Sequence, residues 1–279
     1  MYEILGAIDG TGPSSDAEYA VDFKASNVTK LCGNDGHFSI SGYLRGPSAM
    51  GMETQGAANS ITLWVEQKIK ANQKMQAGGT GVAIAQPKVY LTGYSRGGAA
   101  VINASHQLKR KGIEVDCLML FDAVDRSTMG DTDEIPDNVH WAFHAMRDPM
   151  AGSREMFGNC GTKVAPGVTH YSKKFYCTHG GMGGTPWDKV GDSGFIEEMT
   201  TGEKTGVVAA GTAAGGLYGG YKAKQFADEN DFTRVTMAQE KKGSAEVWAW
   251  MQKNLSNIRH YGLSPSVNPI RSFGRTIAR

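Results

Sequence analysis

The sequence predicts an α/β fold with a mostly parallel central sheet flanked by helices, and three stretches carry that prediction. Lys88 to Ala104, KVYLTGYSRGGAAVINA, runs from a β-branched and aromatic triplet through Gly93-Tyr94-Ser95-Arg96-Gly97 into small residues that suit a helix packed close to a sheet. Val115 to Phe121 is a second apolar run. Strand, helix and strand in succession make a right-handed βαβ unit, which sets the two strands parallel. Tyr2 to Ile8 is a third run, stopping at Asp9-Gly10-Thr11-Gly12-Pro13. In a parallel sheet that loop leaves the same rim as the turn at Ser95.

The 279 residues suit one domain spanning 1–279, with 185–240 expected to be an insertion or cover segment. A 40% hydrophobic share, 20% charged residues and a formal charge of +1 describe a globular chain with no electrostatic footprint for nucleic acid or an anionic membrane. Cys32, Cys117, Cys160 and Cys177 show no C-x-x-C spacing, and Cys117 sits inside VDCLMLF. Reduced thiols are therefore expected; a Cys160–Cys177 bridge is the alternative in an oxidising compartment. MYEILGAIDG has neither a basic n-region nor a long apolar h-region, so a protein made in the cytoplasm without a Sec signal is expected.

Each element has its own local cause. Ser14 to Leu31 is polar with a helical tail, and Phe38 to Leu44 alternates toward a short strand before Gly46-Pro47. His37, in the loop before it, reads as solvated. Ala58 to Met75 places Ile61, Trp64, Val65, Ile69 and Met75 near a 3.6-residue period, an amphipathic helix. The helix after Ser95 should run from Arg96 to Arg110, ending on lysines and a glycine. Val139 to Met146 reads as a further strand, Asp148 to Val168 as loop, and His170 to Cys177 as a strand with His179 at its end. Gly206 to Tyr221 is too short and glycine-dense for a membrane span, so close helix packing or a flexible cover is expected. Ala245 to Leu255 is an amphipathic helix, and the basic tail after His260 is expected to lie over the surface.

The chemistry concentrates at strand ends. A strand, a tight turn carrying serine and a helix together form the setting of a nucleophile elbow, with Ser95 exposed above the sheet; the bland alternative is a serine that caps the helix. Asp122 follows Val115 to Phe121 immediately, on the same rim. Ser95, Asp122 and His179 occur in the order of the α/β-hydrolases. Serine becomes a nucleophile only when a histidine takes its proton, and that histidine needs a carboxylate to fix its tautomer. An oxyanion would need backbone donors, best supplied by Arg96 and by the Gly10–Gly12 loop through Gly10 and Thr11. Asp125 competes with Asp122, and His144 and His170 compete with His179. The acidic run Asp131, Asp133, Glu134, Asp137 lacks the glycine and spacing of an EF-hand loop, so a solvated loop and no metal or cofactor are expected, with calcium as the alternative.

IDGTG, SNVTKL, GYSRGGA, FDAV, HAMRD and a histidine followed by GGMGG occur in that order over about the first 185 residues. The series resembles the DUF2235 family, which includes type VI secretion lipase effectors. The resemblance implies an α/β-hydrolase with Ser95 as nucleophile, Asp122 as acid and His179 as base. It also implies a lipid or phospholipid ester substrate and an effector that meets an immunity protein or secretion carrier. Pro13 stands where the family has asparagine, Gly98 where it tends to alanine, and Gly180-Gly181 where an aspartate follows the histidine. Two other readings remain: a catalytically silent hydrolase fold used for binding or delivery, and an esterase for small soluble esters.

Overall fold

Alternating burial along the apolar runs builds one sheet with a core on each face. In the computed structural model, residues 2–47, 53–77, 86–125, 132–154, 158–198, 201–229 and 233–261 are described. The strands are β1 (Glu3–Ile8), β2 (Ile40–Leu44), β3 (Lys88–Tyr94), β4 (Val115–Phe121), β5 (Glu134–Ile135), β6 (Val139–Arg147), β7 (Lys163–Val164) and β8 (Thr169–Phe175). The helices are α1 (Asp16–Asp22), α2 (Asn27–Cys32), α3 (Thr54–Ala77), α4 (Arg96–Arg110), α5 (His179–Gly183), α6 (Thr201–Glu229) and α7 (Met237–Tyr261). Six strands form a parallel sheet in the order β2-β1-β3-β4-β6-β8. The fold is α/β-hydrolase-like: a central parallel sheet flanked by helices, with a serine turn after β3.

Period-two alternation sorts the side chains. Ile4, Ile8, Val89, Leu91, Leu118 and Leu120 pack with α3 and α4 on one face. Leu5, Ala7, Tyr90, Met119, Phe121 and Phe143 pack with α1, α2 and α7 on the other. Each such aliphatic or aromatic side chain contributes roughly 1.5–3 kcal/mol on burial. That burial is why these strands read as continuous apolar runs rather than as half-exposed alternations.

β1 pairs with β2 on one side and β3 on the other, so the chain reverses its direction of travel between β1 and β3. A crevice opens at such a reversal, outside the carboxyl ends of the strands. The loop after β1 and the turn after β3 both leave the sheet there.

Several expectations change in detail. Ser14 to Leu31 holds two short helices, each capped by a serine, Ser15 and Ser26, whose side-chain oxygen accepts a backbone N–H. The stretch 148–168 contains a 3-10 turn at Pro149–Ala151 and the strand β7, paired with β5. His179 does not end its strand: β8 stops at Phe175, and His179 opens the one-turn helix α5. Gly206 to Tyr221 lies within α6, which breaks at Gly215 and Gly216 (φ 59°) so that two arms fold together, Gly211 against Gly219 and Thr212 against Gly220. No helix among the described residues is long and apolar enough to cross a membrane. The four cysteines are free thiols, and Cys160 and Cys177 lie in cores on opposite faces of the sheet. The tail beyond Tyr261 lies outside the described residues.

Candidate active site

Ser95 occupies the cap position of α4 without capping it. Its backbone is at φ 54°, ψ −128°, and its side chain accepts no hydrogen bond from the first turn of the helix. A non-glycine residue at positive φ is strained, and such strain survives only where the surroundings enforce it. Here they do: a Cβ on Gly93 would lie 2.4 Å from the Gly97 carbonyl oxygen, and one on Gly97 would lie 2.2 Å from the Asp9 carbonyl oxygen. The turn is tight enough that only glycine fits on either side of the serine. Gly98 is also needed at its own site, since a Cβ there would meet the Ala123 Cβ at 2.5 Å.

The hydroxyl freed from capping reaches His179. Ser95 Oγ lies 2.9 Å from Nε2, and Nδ1 lies 2.6 Å from Asp122 Oδ2. An ionised carboxylate only accepts, so the imidazole proton sits on Nδ1 and Nε2 is left to accept from the serine. Ser95 is 6% exposed, His179 9% and Asp122 0%. The serine is therefore buried rather than exposed above the sheet as the motif suggested, with the imidazole against its hydroxyl.

Two contacts hold the His179 backbone and two more hold the residue before it. Its N–H donates to Ser153 Oγ at 2.7 Å, and Tyr94 Oη donates to its carbonyl at 2.9 Å. Thr178, the cap of α5, donates from its N–H and Oγ1 to the buried Glu240 of α7, at 2.7 and 2.6 Å. The glycines of GGMGG serve close approach: the space beyond Gly181 is filled by the Glu240 carboxylate, and that beyond Gly183 by the Tyr94 ring. The carboxylate beside Gly181 arrives from α7, far along the chain.

Asp122 also sits at positive φ (45°) and is held on every side. Asn159 Nδ2 donates to Oδ1 at 2.7 Å, the Arg147 N–H donates to Oδ1 at 3.2 Å, and the Arg147 guanidinium donates to Oδ2. Burial alone would raise its pKa, but the bond from His179 and the charge of Arg147 outweigh that and hold the carboxyl well below its usual range. His179 is lowered, first by burial, with Arg147 and Arg154 adding to the effect and Asp122 opposing it. Arg147, Asn159, Ser153 and Glu240 were not singled out from sequence. Arg147 alone left a trace, as a cation closing the apolar run of β6.

The competing residues lie elsewhere in the network. Asp125 accepts from Thr132 Oγ1 at 2.5 Å. His144 is fully buried, and its Nε2 accepts the Ala123 N–H at 3.1 Å, bracing the turn after Asp122; burial lowers its pKa to about 4. His170, in β8, is lowered by burial and makes no bond to Ser95 or Asp122 among the described residues. His37 is exposed. Asp133 and Asp137 pair with Lys163 and Lys109, Asp131 lies outside the described residues, and no three His, Cys, Asp or Glu side chains converge as a metal site among those described.

The loop after β1 meets the elbow through the pairing of Ile8 with Gly93. Its Gly10 N–H already donates to Asp9 Oδ1 at 2.9 Å, so that donor is engaged. Thr11 carries a buried hydroxyl with no hydrogen-bond partner among the described residues. Arg96 occupies the first position of α4, directly after the serine. Asp9 is buried and raised to about 6 by desolvation, partly offset by bonds from Ser26, Gly10 and Tyr43. A cavity of about 600 Å³ opens nearby between the end of β2 and the start of α3, lined by Leu44, Arg45, Gly46, Glu53 and Ala57 among others.

No family model matches the chain, and no curated protein does. Among solved structures it is similar to a cutinase-like protein from Cryptococcus sp., at 17% identity and a TM-score of 0.30, covering 49% of this chain and 60% of that one. It is also similar to the Tle1 effector bound to the VgrG spike from the type 6 secretion system (13% identity, TM-score 0.37, 78% and 61%). A third is an uncharacterized protein from Pseudomonas aeruginosa (13%, 0.41, 97% and 52%). The chain thus spans between about half and three-fifths of these structures' lengths.

Proposed function

We propose that this chain is a serine hydrolase that cleaves carboxylic esters through an acyl-enzyme. One observation carries the reading: a strained serine whose hydroxyl is turned from its helix toward Nε2 of a histidine, with that histidine's Nδ1 against a buried aspartate. In this reading His179 takes the Ser95 proton as Oγ attacks the ester carbonyl. Asp122 keeps the imidazole in the tautomer that can accept. The developing oxyanion is held by the Arg96 N–H and by Thr11. The imidazolium then returns its proton to the leaving alkoxide, and water repeats the sequence on the acyl-enzyme.

The resemblance to the DUF2235 family supports a lipid or phospholipid as the ester. It also supports an effector that is delivered by a type VI system with a carrier and countered by an immunity protein. The segment 185–240 is read as a cover over one domain. A fluorophosphonate probe should label the protein and fail on Ser95→Ala, and p-nitrophenyl esters should be hydrolysed by the former alone. Labelling that persists in Ser95→Ala would remove the serine from the chemistry. Absence of both labelling and hydrolysis, with short and long acyl chains, would favour the silent binding module.

A further inference from the structure

Arg147 is an unusual neighbour for a histidine that must act as a base. It is the last residue of β6, and its side chain is 7% exposed. Its guanidinium is tied at both ends, Nη1 to Asp122 Oδ2 and Nη2 to the Arg154 carbonyl at 3.0 Å. Nη1 also stands 3.3 Å from His179 Nδ1. Since both nitrogens carry protons directed at the same carboxylate oxygen, this approach is a contact between two donors. A third group that usually stabilises an imidazolium is here already neutralised by a fixed cation.

We propose that Arg147 is a positioning residue of this site: by pairing with Asp122 and facing Nδ1 of His179, it keeps the imidazole an unprotonated base under mildly acidic conditions. The inference rests on reading Ser95 and His179 as nucleophile and base. The other groups around the imidazole do not cancel the effect. Tyr94 from β3 offers a neutral phenol raised by burial, and Arg154 adds a second cation. Glu198 is engaged by Ser153 and Arg154, and Glu240 by Thr178; burial raises both. His144, braced by the Ala123 N–H, is kept neutral by burial. Asp9 is bonded by Ser26 and Tyr43 and is itself raised by burial. Asp122 is thus the anion bonded to the ring, and Arg147 offsets it.

The test compares the full chain with Arg147→Gln and Arg147→Lys. For each, kcat/KM on a p-nitrophenyl ester is followed against pH, and the His179 imidazole is titrated by NMR, its signal identified by loss in His179→Ala. In the unsubstituted protein the acidic limb and the imidazole midpoint should coincide below about 6.5, the ordinary histidine value. Arg147→Lys should keep both, and Arg147→Gln should move both upward by about one pH unit, as expected for loss of a like charge at this range. A purely structural arginine would lower activity equally at all pH without moving the limb, and that outcome overturns the proposal. If Arg147→Gln does not fold, Arg147→Met makes the same comparison, and an imidazole midpoint at or above about 6.5 in the unsubstituted protein is equally fatal. Should no ester be cleaved and no probe bound, the hydrolase reading fails, while the NMR midpoints still judge Arg147.

Discussion

The Ser95 hydroxyl lies 2.9 Å from Nε2 of His179 although 84 positions separate them in the chain. β3, β4 and β6 lie side by side, and they end at Tyr94, Phe121 and Arg147. The serine, the aspartate and the arginine therefore come out along one rim, each at or just past a strand end. The histidine is different, since it reaches the rim on α5, held there by Ser153, Tyr94 and, through Thr178, Glu240.

If His179 is the base and Asp122 the acid of the proposed mechanism, removing one or the other should differ in stability though not in activity. His179→Ala leaves the Arg147–Asp122 pair intact, so turnover should fall by about 10⁴ or more with little change in Tm. Asp122→Asn should lose comparable activity and also about 3 kcal/mol of stability, because a buried arginine is left without its counter-charge. Kinetics and thermal melts on both variants check this; equal Tm values would mean the pair holds nothing.

Glu240 should matter to catalysis without touching the serine. Glu240→Ala removes both acceptors of Thr178, leaving its N–H and its hydroxyl proton without an acceptor while the hydroxyl oxygen still accepts from the Gly181 N–H. We expect a loss of about 1–3 kcal/mol in denaturant unfolding and a fall mainly in kcat, since the imidazole is misplaced rather than the ester excluded. A rise in KM alone would contradict that account.

At the elbow, Gly98→Ala should be destabilising because its Cβ falls 2.5 Å from that of Ala123. Overpacking of this kind costs about 1–3 kcal/mol. Ala123→Gly in the same chain should recover only part of the loss, because the Ala123 Cα still lies 2.9 Å from the new Cβ. A double-mutant cycle with no coupling would show that the two backbones can part freely.

Asp9 gives stability a pH dependence of defined sign. Its folded pKa of about 6 stands above the ordinary 3.8, so the folded state holds the proton more tightly. The contribution is fully present below about pH 4 and is lost as pH rises through about 6, a change on the order of 3 kcal/mol. Asp9→Asn lacks this proton. Urea unfolding should therefore show the variant gaining on the unsubstituted protein between pH 4 and 7, and parallel curves would refute the assignment.

Much of this was readable along the chain. The bounds of α4 and β4 follow from local pattern alone, because small residues after a glycine turn and an unbroken apolar run each have one regular solution. Ser95, Asp122 and His179 could be picked out because each sits beside a strand end or a glycine cluster.

Other features exist only in the folded molecule. Nothing near His179 in sequence signals that α7 will bring Glu240 to its cap, or that Gly10 will give its N–H to Asp9. The same holds for Arg147 and Asn159 closing on Asp122. Backbone pattern depends on neighbours a few residues away, so it is written locally. The partners of a buried charge depend on which strand ends become adjacent when the sheet forms, and those partners set the protonation of the site.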